Sequence, residues 1–150
     1  MTADEALVAR SAGDRLALIA SSHERLTGKP LVAAPAELWG APRAVVAHGL
    51  EPDPIFFYGN RMALELFEMR AADFIRLPSR LSAEPLLRDD RARLLARVAE
   101  TGFIDDYNGV RISATGRRFR IEQAVVWNLV DAAGVVHGQA ATFDQWTRLD

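Results

Sequence analysis

The chain has 150 residues, of which 49% are hydrophobic and 25% are charged, and its formal net charge is -2. This length and composition are typical of one globular domain with a buried core. The slightly acidic balance argues against a nucleic-acid platform, which usually presents a basic face. Because the chain has no cysteine, disulfides, thiolate metal sites, thiol nucleophiles and cysteine-linked chromophores are excluded.

Residues 1–29 are predicted to form an extra N-terminal helix. Thr2 and Glu5 have the spacing of a capping box, Gly28 is a typical stop, and Gly13 weakens the middle only modestly. Seven residues share one face of this helix: Leu7, Val8, Ala12, Leu16, Ile19, His23 and Leu26. The stripe has to be covered by the sheet of the same chain or by a second copy. We expect a homodimer that associates through this helix.

Residues 30–150 are predicted to form an α+β domain. Short strands at residues 43–48 and 55–58 lead into a helix that begins at Arg61. A further helix is predicted from Ser82, an N-cap residue type, with Pro85 in its first turn, to the stop at Gly102. Its buried face is assigned to four apolar residues: Leu87, Leu94, Leu95 and Val98.

Three strands are predicted after the last helix, at residues 104–113, 118–130 and 135–143. Thr115-Gly116 and Ala133-Gly134 have the composition of hairpin turns, whereas Asn108-Gly109 is interpreted as a bulge. In the middle strand, alternate residues form one dry stripe: Phe119, Ile121, Val125, Trp127 and Leu129. Gln123 interrupts this stripe. The result is a five-stranded antiparallel sheet covered on one face by helices.

Several segments resemble known families. Residues 54–60, running into 63–67, look like the second strand and following helix of a Per-Arnt-Sim (PAS) domain. Three further segments resemble the MEKHLA domain family: LPSRLSAEP at residues 77–85, GRRFRIEQAVVWNL at 116–129 and GQAATFDQW at 138–146. The resemblance covers most of the chain and implies a PAS-like fold.

The resemblance also bears on function. MEKHLA domains occur as stand-alone bacterial proteins and at the C-terminus of plant class III homeodomain-leucine zipper proteins, where they are thought to sense a signal and regulate dimerisation. These 150 residues contain no homeodomain or zipper pattern, so DNA binding does not carry over. The family supplies no catalytic residues, so none are assigned here.

A PAS-like domain usually leaves a cavity between its sheet and helices, and six residues are candidates for contacting a ligand there: Tyr58, Asn60, Arg80, Gln123, Trp127 and Gln139. Gln123 could orient a ligand on which Trp127 stacks, if both face the cavity. The alternative is that Trp127 is core and Gln123 bonds to nearby backbone. For Arg80, the alternatives to binding an anion are capping a helix and pairing with Glu84.

Cofactors are constrained only in part. Gln139 lies in the last predicted strand, where PAS-like flavin sensors often carry a glutamine, but without cysteine no cysteinyl-flavin adduct can form. Non-covalent flavin stays open. Haem is disfavoured because residues 86–101 contain no histidine to serve as axial ligand. The three histidines are scattered, so no metal site is predicted.

The sequence therefore favours a sensory or regulatory module that binds a small organic molecule and modulates self-association or a partner. A ligand-free interaction domain and a small cone-shaped isomerase-like enzyme are the alternatives. No apolar run approaches the ~18 residues of a membrane span, and no signal peptide is recognised, so we expect a cytoplasmic protein. The identity of the ligand and of the partner is not encoded in any motif.

Overall fold

The computed structural model describes residues 1–84 and 88–149. Within these residues, the helices are α1 (Ala3–Ala12), α2 (Arg15–Thr27), α3 (Arg61–Phe67), α4 (Ala71–Phe74) and α5 (Arg88–Thr101). The strands are β1 (Ala44–His48), β2 (Phe56–Gly59), β3 (Phe103–Ile112), β4 (Arg118–Val130), β5 (Val136–Phe143) and β6 (Gln145–Leu149). Two short 3-10 turns lie at Pro35–Glu37 and Ser79–Ser82. Ser82, the predicted N-cap of the last helix, belongs instead to the second of these turns, where its hydroxyl donates to the Ser79 carbonyl at 2.7 Å. Pro85 and Leu87, which the prediction placed in the same helix, lie outside the described residues.

All strands pair antiparallel in one sheet of order β2-β1-β5-β4-β3, and β6 pairs with the first half of β4. The five predicted strands are present. The sixth, β6, was not predicted: it follows β5 after a single residue, Asp144, and runs alongside Arg118–Glu122. The α+β architecture with an antiparallel sheet is thus confirmed.

The N-terminal helix is not continuous, which corrects the prediction of one helix. Thr2 caps α1 by accepting a hydrogen bond from the Glu5 amide at 3.1 Å, as expected. Gly13 then adopts φ 57° and ψ -130°, a conformation that side-chain-bearing residues rarely adopt, and the chain turns there into α2. As a result α1 lies against β2 and α4, while α2 lies on β4.

A bulge in β4 changes which residues share a face. Gly109 pairs with Ile121 but Tyr107 pairs with Ala124, so β4 has one extra residue here, and Gln123 adopts φ 52°. Since side chains alternate, an extra residue reverses the faces of everything beyond it. Trp127 and Leu129 are fully buried, as predicted, but they lie on the opposite face from Phe119 and Ile121, so the prediction of one shared stripe is wrong. A bulge was predicted at Asn108-Gly109: the register does shift between Tyr107 and Gly109, but the extra residue lies in β4, opposite Asn108, and not in β3.

The two faces of the sheet are covered by different helices. On the side we call the α2 face, Trp127 is fully buried and lies beneath α2. On the other side, the α5 face, Leu94 and Val98 of α5 pack with Ile104 and Val126. The sheet is thus enclosed between two helical layers.

Candidate functional site

A small cavity lies on the α5 face, with a volume of about 50 Å³. A water molecule needs roughly 10–15 Å³ by this measure, so the space suits about four water-sized groups. Its apolar walls come from the sheet, from α3 and from α5: Val46, Phe67, Leu94, Ile121, Val126 and Ala141. The bulge in β4 places Ile121 and Val126 on the same wall, because it lies between them.

Arg91 contributes a buried positive charge to this cavity. It is only 8% exposed and lies three residues before Leu94 and seven before Val98, on the buried face of α5. Burial lowers the pKa of Arg91 to about 10, with a smaller effect of Arg111, so the guanidinium stays charged at neutral pH.

The acids around Arg91 do not neutralise it. Among residues 1–84 and 88–149, no carboxylate lies within 4 Å of its guanidinium. Asp53, which acts on it at longer range, is paired with Arg80 at 3.1 Å, and Asp90 of α5 is paired with Arg93. Of the four residues outside these ranges, Pro85, Leu86 and Leu87 carry no carboxylate, whereas Asp150 does.

Gln139, which also lines the cavity, carries an unpaired buried acceptor. Its amide nitrogen donates to Asn128 Oδ1 at 3.0 Å and to the Leu95 carbonyl at 3.3 Å. Its Oε1 is buried and has no hydrogen-bond partner among the described residues. Asn128 in turn donates through Nδ2 to the Val98 carbonyl at 3.2 Å, which holds β4 to α5. Gln139 Oε1 can therefore accept a hydrogen bond from a bound molecule.

His48 is a neutral neighbour of these groups. Burial lowers the pKa of His48 to about 4, and the positive charge of Arg91 acts in the same direction. Its Nδ1 lies 3.0 Å from the Gly49 carbonyl, so that nitrogen carries the proton and donates, while Nε2 is an acceptor. Above pH 6.5 the ring adds no charge to the cavity wall.

Tyr107 and Arg111 of β3 add further polar groups to the lining, as does Ser82, whose hydroxyl donates to the Ser79 carbonyl at 2.7 Å. Arg111 donates to the Tyr107 hydroxyl at 3.2 Å and to the Val110 carbonyl at 2.9 Å. Of the described residues that line the cavity, the charged ones are Arg91 and Arg111, and there is no Asp or Glu. The cavity therefore combines apolar walls, uncompensated positive charge and at least one free acceptor.

Of the six residues predicted to contact a ligand, the structure places Gln139 in the cavity wall. Gln123 and Trp127 do not face it together, which corrects the expectation that they share a face. Gln123 is exposed at the bulge, where its backbone N–H donates to Asn108 Oδ1 at 2.9 Å. Trp127 lies on the α2 face, where Nε1 donates to the Ile19 carbonyl at 3.1 Å.

The remaining three residues have structural partners. Asn60 is fully buried and caps α3: its Oδ1 accepts from the Val45 and Ala63 amides, and its Nδ2 donates to the Leu38 and Arg43 carbonyls. Tyr58 belongs to the main core, and burial raises the pKa of its hydroxyl well above the usual range.

Arg80 has a different partner from the one considered from sequence. It pairs with Asp53 at the surface, while the acid weighed as its partner, Glu84, pairs with Arg118. The pairs join parts of the chain that are distant in sequence, so local spacing does not reveal them.

Arg91, His48, Tyr107 and Arg111 line the cavity but were not predicted as ligand contacts. Arg91 carries a readable signal: it has the same helical phase as Leu94 and Val98, so an arginine replaces an apolar residue on the buried stripe. His48 and Arg111 come from strands far apart in sequence, and no local pattern brings them together.

The described residues contain neither a metal-binding cluster nor a membrane-spanning helix. No group of three His, Asp or Glu side chains in residues 1–84 and 88–149 has a metal-binding arrangement. No helix in this part of the chain is long and apolar enough to cross a bilayer.

Solved structures with a similar fold belong to PAS and light-oxygen-voltage domains. The PAS domain of a protein from Colwellia psychrerythraea has a TM-score of 0.63 at 13% identity, over 75% of this chain and 91% of that one. A light-oxygen-voltage domain studied with a flavin analogue has a TM-score of 0.60 at 16% identity, over 75% of this chain and 82% of that one. At this identity, the comparisons establish the fold: it is PAS-like.

Sequence comparison finds homeobox-leucine zipper proteins of Oryza sativa. The chain is 28% identical over 114 residues to homeobox-leucine zipper protein HOX33 of Oryza sativa subsp. indica and 26% identical over 113 residues to HOX29 of the same source. These matches cover 73% and 75% of this chain but 13% of each relative, so the chain spans about an eighth of their length. The model of the MEKHLA domain family matches residues 14–148. The chain belongs to the MEKHLA domain family.

Proposed function

We propose that this chain is a sensory or regulatory module that binds a small organic molecule in the cavity on the α5 face. The observation that carries the proposal is Gln139 Oε1, a buried acceptor without a partner among the described residues, at the edge of an apolar cavity. Leaving such an acceptor unsatisfied costs about 1–3 kcal/mol, so a ligand or water that donates to it is stabilised.

The fold supports a sensory role. PAS and light-oxygen-voltage domains are its structural neighbours, and one of them is described as an RNA-binding light-oxygen-voltage receptor. The relatives found by sequence are homeobox-leucine zipper proteins, in which a MEKHLA domain accompanies other domains. We propose that ligand binding here changes self-association or a contact with another protein, since both need only a shift between two conformations.

Flavin does not fit this cavity. One structural neighbour was studied with a flavin analogue, but pockets for molecules of that size occupy roughly 300–1,000 Å³. The cavity measures about 50 Å³, and the chain has no cysteine for an adduct. The proposed ligand is therefore a much smaller molecule.

Self-association is proposed, but through a different surface from the predicted stripe. Val8, Ala12 and Ile19, at the centre of that stripe, are buried within the chain itself. A homodimer would have to use the outer faces of α1 and α2 or another surface. Sedimentation velocity over a range of concentrations, with and without a bound ligand, tests this point.

A ligand-free interaction domain is the second candidate. The observation in its favour is a set of exposed apolar side chains, including Leu50 at 63% and Val135 at 54% exposure. An isomerase-like enzyme has less support. Among the described residues, two carboxyl groups have clearly shifted pKa values, Glu68 and Asp131. Hydrogen bonds lower the pKa of both, and neither residue lines the cavity.

Filling the cavity tests the proposed function. We would screen the protein by ligand-observed NMR against neutral and anionic molecules of about three to seven non-hydrogen atoms, matched to the cavity volume. Ala141→Leu places extra atoms into the cavity, whereas Ala96→Leu makes the same change on the exposed side of α5. We expect binding that Ala141→Leu removes and Ala96→Leu preserves. Equal binding by Ala141→Leu, or no binding to the unmodified chain, contradicts the proposal.

A further inference from the structure

We infer that the ligand of this cavity is a small organic monocarboxylate, held through its carboxylate by the guanidinium of Arg91, with its short apolar part against Leu94, Val126 and Ala141. This inference rests on the proposed function, because it names the chemical class that the proposed site would take. Four observations carry it, and each concerns a different property of the cavity.

The first is the buried charge. Arg91 is only 8% exposed, and within the described residues no carboxylate is close enough to pair with it. Burying an ion without a partner is unfavourable, and a bound anion in good hydrogen-bonding geometry offsets this cost. Asp53, which acts on Arg91 at longer range, and Asp90, its neighbour in the chain, are paired with other arginines. An anion from outside is the partner that this site lacks.

The second is the kind of cation. A guanidinium presents a planar fork of donors that matches the two oxygens of a carboxylate, and such paired hydrogen bonds are among the strongest in proteins. Arg111 lies in the same wall and has already donated to the Tyr107 hydroxyl and the Val110 carbonyl. Its charge adds to the positive potential without competing for the same geometry.

The third is the distribution of acceptors. Gln139 Oε1 and, in the neutral ring, His48 Nε2 both accept hydrogen bonds and would repel a carboxylate. The anionic end of a ligand is therefore favoured beside Arg91 and disfavoured beside Gln139. A neutral donor on the ligand, such as a hydroxyl group, would satisfy Gln139.

The fourth is size and polarity. About four water-sized groups fit, which corresponds to a carboxylate with one or two carbons attached. The walls are mostly apolar, so a methyl or ethyl group gains from burial whereas an inorganic oxyanion does not. A dicarboxylate would leave its second charge against apolar side chains or acceptors.

The experiment compares matched probes on the whole chain. Acetate and propionate are titrated against acetamide, propionamide, nitrate and chloride at constant ionic strength, and binding is followed by amide chemical shifts and by the melting temperature. The variants are Arg91→Met, which keeps the length of the side chain and removes its charge, and Arg97→Met, which removes an exposed charge from the same helix. Ala141→Leu reports whether binding occurs in the cavity.

We expect saturable binding of propionate and acetate, with shifts at residues that line the cavity. Arg91→Met should weaken it by about 10- to 100-fold, as expected for a hydrogen-bonded charge pair, and Arg97→Met should leave it unchanged. Nitrate and chloride should bind more weakly than propionate. Arg91→Lys should recover part of the affinity, since it restores the charge but not the fork.

Three outcomes overturn the inference. Equal effects of propionate and chloride, or binding that survives Arg91→Met, would reduce the result to a general salt effect. Amides that bind as well as the carboxylates, and lose binding in Ala141→Leu, would refute the carboxylate and leave the proposed function intact. If none of these probes binds, the inference of a carboxylate ligand is refuted as well. The comparison of carboxylate with amide uses the unmodified chain, so it stands even if a variant fails to fold.

Discussion

The two faces of the sheet treat their buried polar groups differently. On the α2 face, the Trp127 indole donates to the Ile19 carbonyl, and the Ser22 hydroxyl both donates to and accepts from Val130. On the α5 face, Arg91 has no carboxylate partner in the described chain and Gln139 Oε1 has no partner there. The first face has the pairing expected of a scaffold, and the second has the incomplete pairing expected where something else binds.

The largest effect is expected from the tryptophan of the α2 face. Trp127→Ala should lower the free energy of unfolding by about 3–5 kcal/mol, because it empties a fully buried site and removes the indole hydrogen bond to the Ile19 carbonyl. Urea denaturation measures this change. The control is Trp146→Ala on β6, where the side chain is only half-buried and the loss should be smaller. A larger loss at Trp146 would mean that the α2 face is not the stabilising one.

The pH dependence should come from the α5 face. The pKa of His48 is about 4 in the folded chain and near 6.5 when unfolded, so the unfolded chain binds more protons between these values. Stability is then complete above pH 6.5 and falls as the pH drops towards 4, by up to about 3 kcal/mol from this residue.

His48→Asn removes the titrating group and should flatten this dependence, measured by urea denaturation at pH 7 and pH 4.5. Some slope should remain, because burial also lowers the pKa of His23. Glu51 acts on His48 in the opposite direction but more weakly than burial. An unchanged slope in the variant would show that His48 is not protected from protonation by the fold.

A smaller effect is expected at Ser22. Ser22→Ala removes one donor and one acceptor from a buried contact with Val130, at 3.0 and 2.8 Å, and should cost about 2 kcal/mol. Ser21→Ala is the matched control, since Ser21 immediately precedes Ser22 in α2 and its side chain is exposed. Faster amide exchange at Val130 should accompany the loss. If both variants behaved alike, the link between α2 and β4 would not depend on this hydroxyl.

The smallest change in stability is expected at Arg91, which makes the contrast between the faces sharpest. In the absence of carboxylates, Arg91→Met should leave the free energy of unfolding within about 1 kcal/mol of the unmodified chain, or raise it, because an unpaired buried charge is replaced by an apolar side chain. Thermal and urea unfolding in phosphate-free, acetate-free buffer measure it. A loss above 2 kcal/mol would indicate that Arg91 is a paired structural residue after all.

The sequence predicts the fold better than it predicts the site, for a physical reason. Order of elements, turn residues and helix stops are local, and they were sufficient for the α+β architecture and for an irregularity in the pairing beside Asn108-Gly109. Face assignment depends on unbroken alternation, and one extra residue near Gln123 reversed it. The signal was there: a polar residue in a dry stripe marked the bulge.

The cavity lies beyond the reach of local patterns because its polar groups come from β1, α5, β3 and β5. Arg91 alone could be recognised by its helical phase, but the charged sequence around it, Arg88-Asp89-Asp90-Arg91, is typical of a solvated surface. Burial of one arginine among several exposed charges depends on how α5 meets the sheet, which is a tertiary property.

Adjacent residues of β4 connect the two helical layers. Trp127 donates to the Ile19 carbonyl of α2, and Asn128 donates to the Val98 carbonyl of α5. Because consecutive side chains of a strand point to opposite sides, the peptide unit between Trp127 and Asn128 is held by α2 on one side and by α5 on the other. A displacement of α5 at Val98 therefore pulls on the same unit that anchors α2. The strand β4 therefore links the cavity wall to the N-terminal helices through two side-chain hydrogen bonds.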